Sequence, residues 1–219
     1  MRKVWMCLSV LILFMLLVCG CEKKSSQANL LSPENLIQNA LGKTDAQVEE
    51  ALGITLEWPD RAENPLETNP TLACSVPFGD QVADSVTLEF QYGKGTPMTS
   101  FYYQFSSLET PEEYWDFLKE MAEQSRREGL ESAMEEYYGQ TFPYTFEEFD
   151  TYADFQAELE EHRNRGSWDR PFDGVEERFF ATKDVYLIYT IRYSMGVPRV
   201  MGLGYVVREL PDVSKVERD

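Results

Sequence analysis

From residue 32 onward the spacing of apolar positions changes period several times, and each change marks an element. Leu36, Ile37, Ala40 and Leu41 share one stripe at helical spacing. Ser32-Pro33-Glu34 in front of them supplies an N-cap, a proline at the first helical position and an acid at the positive end of the dipole. Gly42 stops this helix, and Thr44-Asp45-Ala46-Gln47 is a capping box that opens a second. Val48, Ala51 and Leu52 form its buried stripe and Gly53 closes it, so an αα-hairpin is predicted. The period then drops to two. Val86, Leu88, Phe90 and Tyr92 alternate with Thr87, Glu89 and Gln91, the pattern of a half-buried strand. Gly93-Lys94-Gly95 makes the turn, and Phe101, Tyr103 and Phe105 are the inward face of the return strand. Thr71–Phe78 reads as a further strand, which Pro77 confines to an edge. The polar stretch 57–70, with prolines at 59, 65 and 70, reads as a long loop.

The second half begins with helical spacing again. Thr110-Pro111-Glu112-Glu113 is a capping box with proline just inside it, and Tyr114, Phe117, Leu118, Met121 and Ala122 give the stripe of a helix over 111–128. Gly129 interrupts, and Leu130, Met134 and Tyr137 predict one more short helix ending at Gly139. A third capping box, Thr145-Phe146-Glu147-Glu148, is expected to open a helix lined by Phe149, Tyr152, Ala153 and Leu159 that runs to about Asn164. After the loop Gly166-Ser167-Trp168-Asp169 come three strands, over 175–181, 185–193 and 199–208. Their turns are Thr182-Lys183-Asp184 and Ser194-Met195-Gly196. Val185, Leu187, Tyr189, Ile191 and Tyr193 fall on one face, as do Met201, Leu203, Tyr205 and Val207, while Gly202 and Gly204 leave the other face flat.

This order, without regular βαβ alternation, predicts an α+β fold with antiparallel sheet or sheets and helices packed on one face. The order also echoes between 32–106 and 110–209. Either two ααβββ-like halves or one continuous sheet satisfies it. The globular region is placed at 32–209, with 210–219 as a C-terminal tail.

The N-terminus follows a different rule. Met1-Arg2-Lys3 is a short positive segment, and residues 4–18 carry no charge, the layout of a secretory signal over 1–20. Val18-Cys19-Gly20-Cys21 resembles the lipobox of bacterial lipoproteins, with Cys19 in a place more often held by Ala or Ser. The resemblance implies cleavage before Cys21 and lipid on its thiol. The alternative is an uncleaved membrane anchor, for which residues 4–21 lie at the short limit. The apolar run ends in small residues and a cysteine rather than a basic stop-transfer cluster, which favours the lipoprotein. Two acyl chains give stable anchoring, whereas one holds a protein marginally. Residues 21–31 then read as a flexible tether, and the expected location is the extracytoplasmic side of a cell membrane.

Composition narrows the function. Hydrophobic residues make up 43% of the chain and aromatics 13%, enough for a packed core. The net charge of −18 argues against nucleic acid as a partner. Three of the four cysteines lie in the first 21 residues, which leaves Cys74 as a small buried hydrophobe rather than part of a disulfide framework. Residues 109–161 hold 17 acids against 3 bases. That charge reads as a solvated helical face, or as a docking surface for something cationic.

Leu41-Gly42-Lys43-Thr44-Asp45-Ala46-Gln47-Val48-Glu49-Glu50-Ala51-Leu52-Gly53 resembles the helix-turn-helix opening of β-lactamase-inhibitor-protein-like domains and small outer-membrane-assembly lipoproteins. Gly42, Thr44, Val48, Leu52 and Gly53 carry the likeness, with the following proline displaced to Pro59. The resemblance implies a protein-binding role without catalysis.

The sequence carries little that reads as a catalytic or metal motif. His162, the single histidine, follows Glu160-Glu161 near a helix end and reads as a surface or capping residue. Asp169, Asp173 and Gly174 have the spacing of part of a calcium loop, but Pro171 and Phe180 stand where oxygen ligands are required. Glu135-Glu136 and Glu147-Glu148 are adjacent acids that helical geometry points to different sides. No catalytic residue, cofactor or metal is assigned. The expectation is a membrane-anchored extracytoplasmic binding or assembly module whose partner is an envelope protein, a basic one being the fit for the acidic segment. A small solute- or peptide-binding lipoprotein is the first alternative, with Tyr102, Trp168 and Tyr186 as candidate pocket residues. A carboxylate-dependent envelope hydrolase is the second.

Overall fold

The computed structural model describes residues 30–60, 68–166, 173–194 and 196–211. Their elements are α1 (Pro33–Asn39), α2 (Asp45–Leu52), β1 (Thr71–Phe78), β2 (Gln81–Phe90), β3 (Met98–Gln104), α3 (Pro111–Arg127), α4 (Met134–Tyr138), a 3-10 turn at Phe146–Glu148, α5 (Tyr152–Arg165), β4 (Gly174–Thr182), β5 (Val185–Ser194) and β6 (Val197–Val207). The six strands form one antiparallel sheet in the order β1-β2-β3-β6-β5-β4, so the fold is α+β. Each half of the chain contributes a three-stranded meander. The meanders join where β3 pairs with β6, Ser100 opposite Val206 and Tyr103 opposite Leu203. The signal region with Cys21, part of the 57–70 loop, Trp168, Asp169, Met195 and most of the 210–219 tail lie outside the described residues.

The helix ends follow their caps. Ser32 accepts from the Asn35 N–H, Thr44 and Gln47 form a reciprocal box, and Gly53 closes α2 in the left-handed conformation at φ 63°. On α3, Thr110 accepts from the Glu113 N–H at 3.2 Å while the Glu113 carboxylate accepts from the Thr110 N–H at 2.9 Å.

The third box behaves differently from the prediction. Thr145 and Glu148 do form it, but they cap only the 3-10 turn. Phe149 is then extended, and its carbonyl and that of Asp150 accept the Lys119 ammonium at 2.5 and 3.0 Å. With those residues committed to α3, the helix restarts under a new box, Thr151 with Asp154. Its buried stripe is Phe155, Leu159 and His162, and Ala153 is exposed.

The tether also differs. Leu31 is buried, its carbonyl accepts from the Tyr103 hydroxyl at 2.6 Å, and the Leu30 carbonyl accepts from the Asn35 amide. The fold therefore includes the last two residues assigned to the tether over 21–31.

One sheet face carries the main core. Val86, Leu88, Phe101, Tyr103, Leu187, Tyr189, Ile191 and Leu203 meet Leu36, Val48 and Leu52 of the hairpin, Trp115 and Leu118 of α3, and Phe155 and Leu159 of α5. Trp115 is fully buried, stacked on Phe155 with ring centroids 5.0 Å apart. The opposite face is not bare. After α3 the chain passes around the β4 edge: the Ala133 N–H donates to Arg178 C=O at 2.9 Å, and the Phe180 N–H donates to Glu131 C=O at 3.0 Å. It returns at Tyr144, whose carbonyl accepts the Glu176 N–H at 2.8 Å, so this edge is hydrogen-bonded. Between these points Ala133 packs on Tyr186 and Ile188, and the Tyr137 ring of α4 meets Tyr186. Helices on one face thus describe α1, α2, α3 and α5, whereas α4 covers the other side. This explains why β5 is buried on both faces.

Candidate functional site

Between α1 and α3, on the main core face, lies a cleft of about 470 Å³. Its floor is Ala181, Leu187, Tyr189 and Tyr205 from the sheet, and Ile37, Met121 and Leu130 extend the apolar surface up the walls. Glu34, Gln38, Gln124, Glu128 and Thr182 form the lip. No lysine, arginine or histidine among the described residues lines it. At the base the Ser125 and Tyr189 hydroxyls share a hydrogen bond of 2.8 Å. Burial pushes the Tyr189 phenol up to about 12, so it keeps its proton at neutral pH. Gln124 donates to Glu128 at 2.7 Å and Gln38 to Glu34 at 3.4 Å; each carboxylate keeps acceptor capacity toward the cleft.

A second depression of about 430 Å³ adjoins the first and shares Ile37 and Thr182 with it. The α1 side of the first is Pro33, Glu34, Ile37 and Gln38, and that of the second continues with Ile37, Leu41 and Gly42. Pro33 and Ile37 lie four apart on α1, and Leu41 and Gly42 lie in the turn that follows Asn39, so the two depressions run along the helix and on past its end. Asp184 and Glu209 line the far part. Its one base among the described residues, Arg208, is held by Glu136, with Nε to Oε1 and Nη2 to Oε2 both at 2.6 Å.

The opposite face holds a charged network. The fully buried Glu176 accepts from Arg178 Nε at 2.5 Å, Arg192 Nη2 at 2.7 Å and the Tyr138 hydroxyl at 2.6 Å. Burial alone would raise the Glu176 carboxyl, but the two guanidiniums and the phenol reverse this and hold it below its ordinary value. The Arg178 guanidinium also sits 3.5 Å from the centre of the Tyr137 ring. On the neighbouring strands, Ser100 donates to Glu89 at 2.6 Å and the Tyr102 ring packs against Gly204. A Cβ at Gly204 would stand 2.3 Å from Tyr102 Cδ1. Apart from the buried Arg178 Nη1, which has no hydrogen-bond partner among the described residues, these contacts largely use the polar groups on one another, and we assign the network to stability.

The structure separates the residues singled out in the sequence. Cys21 and Trp168 lie outside the described residues. Tyr102 and Tyr186 are on the network face and line neither depression: Tyr102 covers Gly204, and the Tyr186 hydroxyl donates to Glu136 at 2.5 Å. His162 is buried and not a surface residue, because the 144–149 segment folds back and sets the Tyr144 ring edge-on at 6.1 Å. Cys74 is half-buried, its thiol directed at Ala83 C=O and pushed up to about 11 by burial. Asp173 pairs with Arg163 at 2.8 Å. Glu136 bonds Tyr186 and Arg208, Glu147 pairs with Arg126, and Glu148 closes its own cap, so the adjacent acids serve separate contacts. Among the described residues no three His, Cys, Asp or Glu side chains are placed to share a metal ion.

The cleft was missed in the sequence because its lining comes from α1, α3 and all three C-terminal strands. The available signal was Tyr189 and Tyr205, two phenols on an inward face that need polar partners. Comparison of the chain with protein-family models, with curated proteins and with solved structures finds no match in any of the three.

Proposed function

We propose that the chain is a lipid-anchored extracytoplasmic module that binds a protein partner and performs no chemistry of its own. The observation that carries this is Val18-Cys19-Gly20-Cys21 at the end of an uncharged run behind Arg2 and Lys3. Lipid on Cys21 would confine the domain to a membrane surface and raise its local concentration there. The chain enters the fold at Leu31, two residues before Pro33 at the cleft, so such an anchor keeps the cleft close to the bilayer. Nine residues lie between Cys21 and Leu31, a reach of about 17 Å r.m.s. if they behave as the tether read from the sequence. A small-solute receptor is the second reading, favoured by a cleft volume that falls within the usual range of about 300–1,000 Å³ for ligand sites.

The anchor is tested by metabolic labelling with a clickable palmitate, comparing wild type with Cys21→Ser. Label on wild type and none on the variant supports the proposal. Equal label, or none on either, refutes lipidation at Cys21. Crosslinking in cells followed by identification of the captured chain tests the role. A reproducible membrane or envelope protein supports it, and capture of none at native expression overturns it.

A further inference from the structure

We infer that the trough along α1 receives an extended peptide segment with an apolar centre and basic flanks. This deepens the protein-binding reading and rests on it. Shape selects the peptide. The two depressions run along α1 from Pro33 and continue past its end at Leu41 and Gly42, against a wall that includes Thr182, Asp184 and Val185 of the β4–β5 hairpin. Seven helical residues are about 10 Å long, which matches three or four residues of extended chain. A compact solute would fill one depression and leave the other.

Charge selects the sequence. Glu34 and Glu128 line the first depression and Asp184 and Glu209 the second, where Asp184 has the exposed Lys183 ammonium at 3.6 Å and Arg208 is already neutralised by Glu136. Between these acids the surface is apolar, from Ile37, Met121, Leu130 and Leu187. An acidic segment would meet like charge at both ends, whereas lysines or arginines there are complementary. The Tyr205 ring, supported from behind by Phe101 at 5.0 Å, offers a face for an aromatic or aliphatic anchor.

The test is a titration of the full purified chain, in detergent, with fluorescein-labelled Lys-Leu-Phe-Lys, read by anisotropy. Glu-Leu-Phe-Glu and the small cation phenethylamine compete in parallel. Two variants remove the charge: Glu34→Lys with Glu128→Lys, and Glu34→Gln with Glu128→Gln. Both sites are exposed and their side chains bond glutamines, so the fold should persist, and a thermal melt checks it. Ala181→Trp fills the floor. The expected result is saturable binding of the basic peptide, weakened roughly tenfold or more by each charge pair and by Ala181→Trp, with little competition from the acidic peptide. No saturable binding, binding indifferent to these variants, or phenethylamine competing as well as the basic peptide would each overturn the inference. Palmitate labelling that persists alongside any of these confines the failure to the trough and leaves the anchored module standing.

Discussion

Glu176→Gln isolates the largest electrostatic commitment in the fold. The carboxylate is fully buried and bonds two guanidiniums, Arg178 with 3% of its side chain exposed and Arg192 with 39%. At about 4 Å and an effective dielectric of about 20, each unit pair attracts by about 4 kcal/mol, most of it offset by desolvation. The Arg192 share is reduced further by solvent. Glutamine keeps the shape and removes the charge, which leaves Arg178 as a buried cation under the Tyr137 ring. Breaking one side of such a pair costs about 3–5 kcal/mol, or about 6–20 °C in Tm for a chain of this size. Urea melts followed by circular dichroism measure it. A loss under about 1 kcal/mol would refute the assignment of the network to stability. The double variant Glu176→Gln with Arg178→Met should be more stable than the single one, because methionine removes the stranded charge and keeps an apolar contact with Tyr137.

The same substitution has a pH signature. The folded Glu176 carboxyl lies below its ordinary value of 4.5, so its contribution is complete above 4.5 and is lost as pH falls through the folded value. The gap between wild type and Glu176→Gln should therefore narrow below about pH 4.5. Glu177, on the opposite face of β4, moves the other way. Burial raises it, and Arg126 opposes that rise without cancelling it. Its contribution is complete below 4.5 and declines as pH climbs through the raised value, so Glu177→Gln should compare better with wild type at pH 7 than at pH 4.

Gly204→Ala should destabilise by about 1–3 kcal/mol in the same melts, since the new methyl needs the space of the Tyr102 ring and stands 2.9 Å from Phe101 O. Thr151→Ala should cost about 1 kcal/mol by removing the α5 cap, and Thr151→Ser should restore most of it. Tyr189→Phe should cost about 1 kcal/mol by taking a partner from Ser125 under the cleft. Cys74, with its thiol near 11, should react slowly with a disulfide reagent at pH 8 and speed up toward pH 11, whereas an exposed thiol would already react quickly at pH 8.

What was legible in the sequence is what local chemistry decides. Thr44 with Gln47 and Thr110 with Glu113 are boxes in the structure because both partners lie within one turn. The alternation of Val86, Leu88, Phe101 and Tyr103 reports burial because helices cover the sheet face at these positions. What was not legible depends on a segment folding back from far away. Glu176 and Arg178 occupy positions that strand alternation assigns to solvent, and only the passage of 131–144 around β4 buries them. Phe155 escaped the helical stripe because Lys119 of α3 holds the Phe149 and Asp150 carbonyls and breaks the expected helix just before it. His162 read as a surface residue because nothing local announces Tyr144.

The position of the trough follows from the unequal helical cover on a symmetric sheet. The strand order reads the same from either edge, β1-β2-β3 meeting β6-β5-β4, so the two meanders present comparable apolar faces. The helices above them are not comparable. The N-terminal half supplies two short helices of 7 and 8 residues, whereas the C-terminal half supplies 17 residues in α3 and 14 in α5. A seven-residue helix spans about 10 Å and a strand of ten residues about 33 Å, so α1 cannot cover the strands beneath it. The uncovered strip lies where the short layer meets the long one, between α1 and α3, and its floor is Leu187, Tyr189 and Tyr205 at the end of the sheet next to the β4–β5 turn. Lengthening α1 would close that strip with apolar side chains and stabilise the fold by ordinary burial. α1 instead ends at Asn39 with Ala40 as its cap, and Gly42, with φ 78° and its N–H donated to Met98 C=O, ties the following turn to the start of β3. The turn that closes the first arm of the helical hairpin is thus also what leaves an apolar trough open beside α1.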